Sequence, residues 1–93
     1  MSSYELVYII NPEVLEDGLT NVLDKVNDSI TKSGGSVTEV NKWGKKKLSY
    51  PIKRYTEGHY VLTRLELDPG SISKLDVTLR SSGDIVRHLL VKV

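Results

Sequence analysis

The sequence predicts an α+β fold in which a four-stranded antiparallel sheet carries two helices on one face. Three observations carry this. Runs rich in β-branched and aromatic residues recur at Tyr4–Ile10, Ser36–Ser49, His59–Leu67 and Ile85–Val93. Apolar residues at spacings of three and four fill the gaps between the first and second runs and between the third and fourth. The second and third runs are separated only by a short turn-forming stretch. The order strand, helix, strand, strand, helix, strand has one common solution, two interleaved split βαβ units forming a ferredoxin-like sandwich. Ninety-three residues make one domain, residues 1–93, with no room for a second core.

In the first run Leu6, Tyr8 and Ile10 alternate with Glu5, Val7 and Ile9. Apolar groups on both faces suit a central strand, or one whose second face meets a partner. Asn11-Pro12 ends it, with Asn a capping residue and Pro suited to a first helical turn. Leu15, Leu19, Val22, Leu23, Val26 and Ile30 then form one stripe, with the helix start placed between Glu13 and Gly18. Glu13, Glu16 and Asp17 complement the positive end of the helix dipole, and Gly34-Gly35 close the helix.

In the second run Val37, Glu39, Asn41 and Trp43 are expected on one face and Thr38, Val40 and Lys42 on the other. Gly44 marks a bulge or bend, and Pro51 an edge strand or its end. Residues 51–58 read as a hairpin loop turned by Thr56-Glu57-Gly58. The third strand places Val61, Thr63, Leu65 and Leu67 opposite Tyr60, Leu62, Arg64 and Glu66. Asp68-Pro69-Gly70 repeats the cap-and-proline start for a short helix carrying Ile72, Leu75 and Leu79. The last strand sets Val86, His88 and Leu90 against Ile85, Arg87, Leu89 and Val91. With both helices on one face, the other face keeps Val7, Ile9, Tyr60, Leu62, Leu89 and Val91, an apolar surface of the kind that marks a contact site.

Composition excludes several function classes. There is no cysteine, so disulfides, thiolate zinc sites and cysteine nucleophiles are ruled out. His59 and His88 stand without a second ligand at metal spacing and read as structural histidines. No nucleophile elbow, triad order, phosphate-binding loop or pair of cleft carboxylates appears, so no catalytic residue, cofactor or small-molecule substrate is expected. The apolar runs Leu6–Ile10 and Leu89–Val91 are too short to span a bilayer, and no membrane partner is expected.

Charge is unevenly placed. The formal total is only +1, yet Lys42–Arg54 holds six basic residues and no acid, interleaved with Trp43 and Tyr50. Cations release counterions from a polyanion and rings stack on bases, which points to nucleic acid. A charged edge strand that discourages sheet-to-sheet pairing is the competing reading.

The block Gly44-Lys45-Lys46-Lys47-Leu48-Ser49-Tyr50-Pro51-Ile52-Lys53 is similar to the signature of protein six of the bacterial small ribosomal subunit. Tyr4-Glu5, Asn11-Pro12, Gly58-His59-Tyr60, Arg80 and Val91-Lys92 also fit that family, so the resemblance spans essentially the whole chain. It implies a non-enzymatic structural protein that works in a ribosome, cytoplasmic or organellar. It also implies binding to the central domain of the small-subunit ribosomal RNA, jointly with small-subunit protein eighteen. Lys45, Lys46, Lys47 and Lys53, with Arg54 on the loop and Arg87 and Lys92 on the last strand, are the candidate RNA contacts. Trp43, Tyr50, Tyr60, Leu62, Val7, Ile9 and Leu89 are the candidate protein interface, with packing as the competing role for the aromatics. Ser2 and Ser3 stand where some relatives have arginine, so no N-terminal RNA contact is carried over. The alternative, a single-strand RNA reader of the RNA-recognition-motif type, needs several aromatics on the third strand, and Gly58–Arg64 supplies only Tyr60. An enzymatic ferredoxin-like domain of the acyl phosphatase kind needs an anion-cradling loop that Asn11-Pro12 does not offer.

Overall fold

The computed structural model describes residues 2–52 and 54–93. Its elements are β1 (Ser2–Ile10), α1 (Glu16–Lys32), β2 (Ser36–Ile52), β3 (Tyr55–Leu67), a 3-10 turn (Pro69–Ser71), α2 (Ile72–Ser81) and β4 (Ile85–Lys92). The sheet is antiparallel in the order β2-β3-β1-β4. Both helices bury their apolar stripes against the same face. Leu19, Val22, Leu23, Val26 and Ile30 of α1, with Leu75 and Leu79 of α2, join Tyr4, Leu6, Tyr8 and Ile10 of β1 and Val61, Leu65 and Leu67 of β3 in one cluster. The expected ferredoxin-like sandwich is therefore the observed one, and β1 and β3 alternate as the sequence implies.

Five local expectations are corrected. Leu15 is not part of the α1 stripe: the helix starts at Glu16, and Leu15 at its N-cap is 79% exposed. Asn11 does not cap the helix; its Oδ1 accepts from the Glu13 amide at 2.8 Å, a local turn that delays the helix.

The β2–β3 hairpin is longer than expected. β2 continues through Pro51 to Ile52, and β3 already begins at Tyr55, so Thr56-Glu57-Gly58 lies within a strand. Proline is tolerated there because β2 is an edge strand. Gly58 is present for close approach rather than for turning. A Cβ added to it would lie 2.3 Å from Ile9 Cγ2 and 3.2 Å from the Ile10 carbonyl oxygen.

Two bulges break the expected alternation of β2. Pairing shifts between Val37 and Glu39 and again between Lys42 and Gly44. Val37, Val40, Lys42, Lys45 and Lys47 consequently lie opposite helix-side residues of β3, and Glu39, Asn41, Gly44 and Lys46 opposite the others. Gly44, with φ of +87°, supplies the left-handed backbone at the second bulge. In β4 the register shifts where Ile9 gives way to Ile10, so Ile85 pairs with Ile10 and joins the core rather than sharing the face of Arg87, Leu89 and Val91.

Candidate RNA and protein interface

The face of the sheet away from the helices is built in rows set by the pairing register. Glu5 sits between Arg64 and Val91, Val7 between Leu62 and Leu89, and Ile9 between Tyr60 and Arg87. The first row carries an ion pair, Arg64 Nε to Glu5 at 3.1 Å. The second row is apolar from Leu62 to Leu89, with Asn41 of β2 beyond Leu62, and Leu89 at its edge is 59% exposed. In the third row Tyr60 stacks on Trp43 of β2, ring centroids 6.4 Å apart and planes within 14°. Trp43 remains 46% exposed.

The end of the hairpin, called the arm below, reaches back over this face. Leu48, Tyr50 and Ile52 line a groove of about 250 Å³ whose floor includes Val7, Ile9 and Leu89. Arg87 on β4 donates from Nη1 to Tyr50 Oη at 2.5 Å. The structure thus brings all seven candidate interface residues, Val7, Ile9, Trp43, Tyr50, Tyr60, Leu62 and Leu89, to one side of the sheet. Core packing is not the role of Tyr50, which is 57% exposed. The groove residues Leu48 and Ile52 were missed in the sequence, although their i, i+2, i+4 spacing with Tyr50 is the signal that would have found them.

The cations are distributed over both sides of the arm. Lys45 lies opposite His59 and Lys47 opposite Glu57, and Lys46 lies opposite Gly58. Lys45 Nζ is 3.4 Å from Glu57 Oε1, an exposed pair of the kind that contributes about 0–1 kcal/mol. Lys46 Nζ stands 5.4 Å from the centre of the Trp43 ring, a cation–π contact. Arg54 covers the Tyr55 ring at 5.3 Å and donates to its hydroxyl at 3.3 Å. The same hydroxyl accepts from Asn11 Nδ2 at 3.0 Å, which ties the start of β3 to the body. Lys92 pairs with Tyr4, at the opposite end of β4 from Arg87, and is not gathered with the arm cations. Lys53, the remaining candidate, lies outside the described residues.

Neither histidine is placed for ligation. His59 Nε2 is 3.2 Å from the Val14 carbonyl oxygen. His88 Nε2 is 2.7 Å from Asp76 Oδ1. Asp76 also accepts from Arg80, and the hydrogen bonds from His88 and then Arg80 hold its carboxyl below the usual carboxylate range. No cluster of three metal-ligating groups occurs among the described residues. No helix among them is long and apolar enough to cross a membrane.

Comparison with known proteins agrees with this architecture. The family described as Ribosomal protein S6 matches residues 3–92. The small ribosomal subunit protein bS6 of Desulforamulus reducens is 38% identical over 92 residues, covering 99% of this chain and 97% of the relative. That of Clostridium acetobutylicum is 39% identical over 93 residues, covering 100% and 98%. The crystal structure of 30S ribosomal protein S6 from Thermotoga maritima superposes with a TM-score of 0.93 at 27% identity, covering 99% of this chain and 87% of that one. These relatives are structural proteins of the ribosome, not enzymes.

Proposed function

The chain belongs to the ribosomal protein S6 family of the small subunit, and from that premise we propose that it binds the central domain of the small-subunit ribosomal RNA jointly with small-subunit protein eighteen. The observation that carries the reading is a division of labour on one surface. A cation-rich edge, Lys42–Lys47 of β2 with Arg54 on the arm, adjoins a helix-free sheet face whose apolar rows converge on Val7 and Ile9. Lysines on that edge neutralise phosphates and position the RNA without reading its bases. The apolar rows and the groove under the arm receive the second protein, which removes Leu62, Leu89 and Trp43 from water. Specificity then comes from RNA shape and from the composite surface of the two proteins.

The single-strand reader is not favoured. β3 offers one aromatic side chain on the open face, Tyr60, and Trp43 already stacks on it. The test is binding to a central-domain RNA fragment across a salt series, with and without protein eighteen. Weak binding alone and tight joint binding are expected. Replacing Lys45, Lys46 and Lys47 by Gln lowers the slope of log K against log salt by up to roughly 0.9 for each phosphate that is no longer neutralised. Equal affinity with and without the partner, or an unchanged slope, overturns the reading.

A further inference from the structure

The two halves of the arm are held to the body in different ways. The β3 half is tied through Tyr55 to Asn11. The β2 half has a broken ladder: Lys47 pairs with Glu57 and Ile52 with Tyr55, so residues 48–51 stand opposite Thr56 alone. Pro51 has no amide hydrogen with which to repair it. What spans the sheet instead is the hydrogen bond from Arg87 on the β4 edge to the Tyr50 hydroxyl, a bond between residues 37 apart in sequence. Both side chains are exposed, so burial does not fix either one.

We propose that Tyr50 and Arg87 form a clasp that positions the tip of the arm and so sets the shape of the groove in which the partner protein docks. Arg87 is then a positioning residue, with its guanidinium directed at the phenol rather than at a phosphate. This rests on the partner-docking reading above. The geometry gives the clasp a definite job. With it closed, Leu48 and Ile52 face Val7 and Leu89 across the groove. With it open, the tip hangs on a segment that has no regular pairing, and docking must first order that segment. An arginine serving only as a phosphate contact has no need of a neutral acceptor reaching back from the other edge of the sheet.

The test uses Tyr50→Phe, which keeps the ring and removes the acceptor, Arg87→Met, which keeps the apolar stem and removes the donor, and the double variant. Backbone relaxation of the amides of Leu48, Ser49 and Tyr50 is measured in the free protein, and protein-eighteen binding is titrated separately. Each single substitution is expected to raise tip mobility and to weaken docking about three- to ten-fold. The double variant is expected to be no weaker than either single one, because both remove the same bond. Unchanged tip dynamics in Tyr50→Phe, or a double variant weaker by the product of the singles, overturns the clasp. So does an RNA salt slope that falls by about 0.9 in Arg87→Met, which would identify a phosphate contact. If Arg87→Met does not melt cooperatively, Tyr50→Phe decides the question alone. Wild-type protein that does not bind protein eighteen refutes the docking reading, and the relaxation data on the free protein still decide the clasp.

Discussion

Gly58 is the residue on which the root of the arm depends, and replacing it with alanine tests the fold at the point closest to the proposed interface. Gly58 lies on β3 against the end of β1, where the arm leaves the body. The new methyl group would meet Ile9 Cγ2 at 2.3 Å and the Ile10 carbonyl oxygen at 3.2 Å. The first distance is well inside van der Waals contact, and the second involves backbone paired in the central strand, which cannot retreat. Ile9 must shift, and at 8% exposure it has little free space. Overpacking of this kind costs about 1–3 kcal/mol. Loss of glycine's freedom in the unfolded chain returns about 0.4–1 kcal/mol. At the middle of both ranges the expected net loss is about 1.3 kcal/mol, and at roughly 4–8 °C per kcal/mol for a domain of this length the melting temperature falls by about 5–10 °C. The assay is chemical denaturation of Gly58→Ala, Ile9→Ala and the double variant. Ile9→Ala removes the clashing Cγ2, so the double variant should lose less than the sum of the two by about 1 kcal/mol or more. Additive losses, or a Gly58→Ala protein as stable as the parent, would refute the close-approach account and restore the turn reading.

Two further outcomes follow from individual side chains. The Asp76 carboxyl, held low by His88 and Arg80, has a lower pKa folded than unfolded. Its contribution to stability is therefore present above the ordinary carboxylate range near pH 4 and lost as pH falls through that range toward the folded value. Urea midpoints between pH 3 and pH 6 should fall less steeply with acid in Asp76→Asn than in the parent, and parallel curves would exclude the linkage. Leu15→Ala should change stability by no more than about 0.5 kcal/mol, whereas Leu23→Ala, eight residues along the same sequence stripe, should cost about 2–5 kcal/mol. Denaturation of the two side by side checks it, and equal losses would contradict the observed helix start.

The sequence made the sandwich legible because its strongest signals are periodic. The Leu19–Ile30 stripe and the alternation of β1 and β3 each repeat several times, and the placement of both helices on one face follows from the element order. What stayed hidden were events that happen once. A β-bulge adds one residue and leaves no pattern beyond itself, so the shift at Thr38 carried no marker, whereas that at Trp43 was legible from the neighbouring Gly44. Gly58 misled because a glycine needed for close approach looks the same as one needed for a turn. Leu15 misled because a three-and-four stripe extends one step past a helix end at no cost to the pattern. The partner of His88 was invisible for a different reason. Asp76 is twelve residues away on a helix, and only the packing of α2 on β4 brings the two groups to 2.7 Å.

The bulges also decide how the cations can be used. Entering β2, Val37 lies on the helix side, so a regular strand would keep odd-numbered residues there. The first bulge inverts this parity, and Val40 and Lys42 take the helix side. The second, at Trp43-Gly44, inverts it again, returning Lys45 and Lys47 to the helix side and Lys46 to the open face. Without that second irregularity two lysines, rather than one, would project over the apolar rows. Each would hold water against a surface whose proposed role is to be dried by a protein partner. With it, one lysine remains on that face, lying over Trp43, and Lys45 and Lys47 stand on the helix side of the strand. The left-handed backbone of Gly44 is thus the local feature that divides the lysines of one edge strand between the two faces of the sheet.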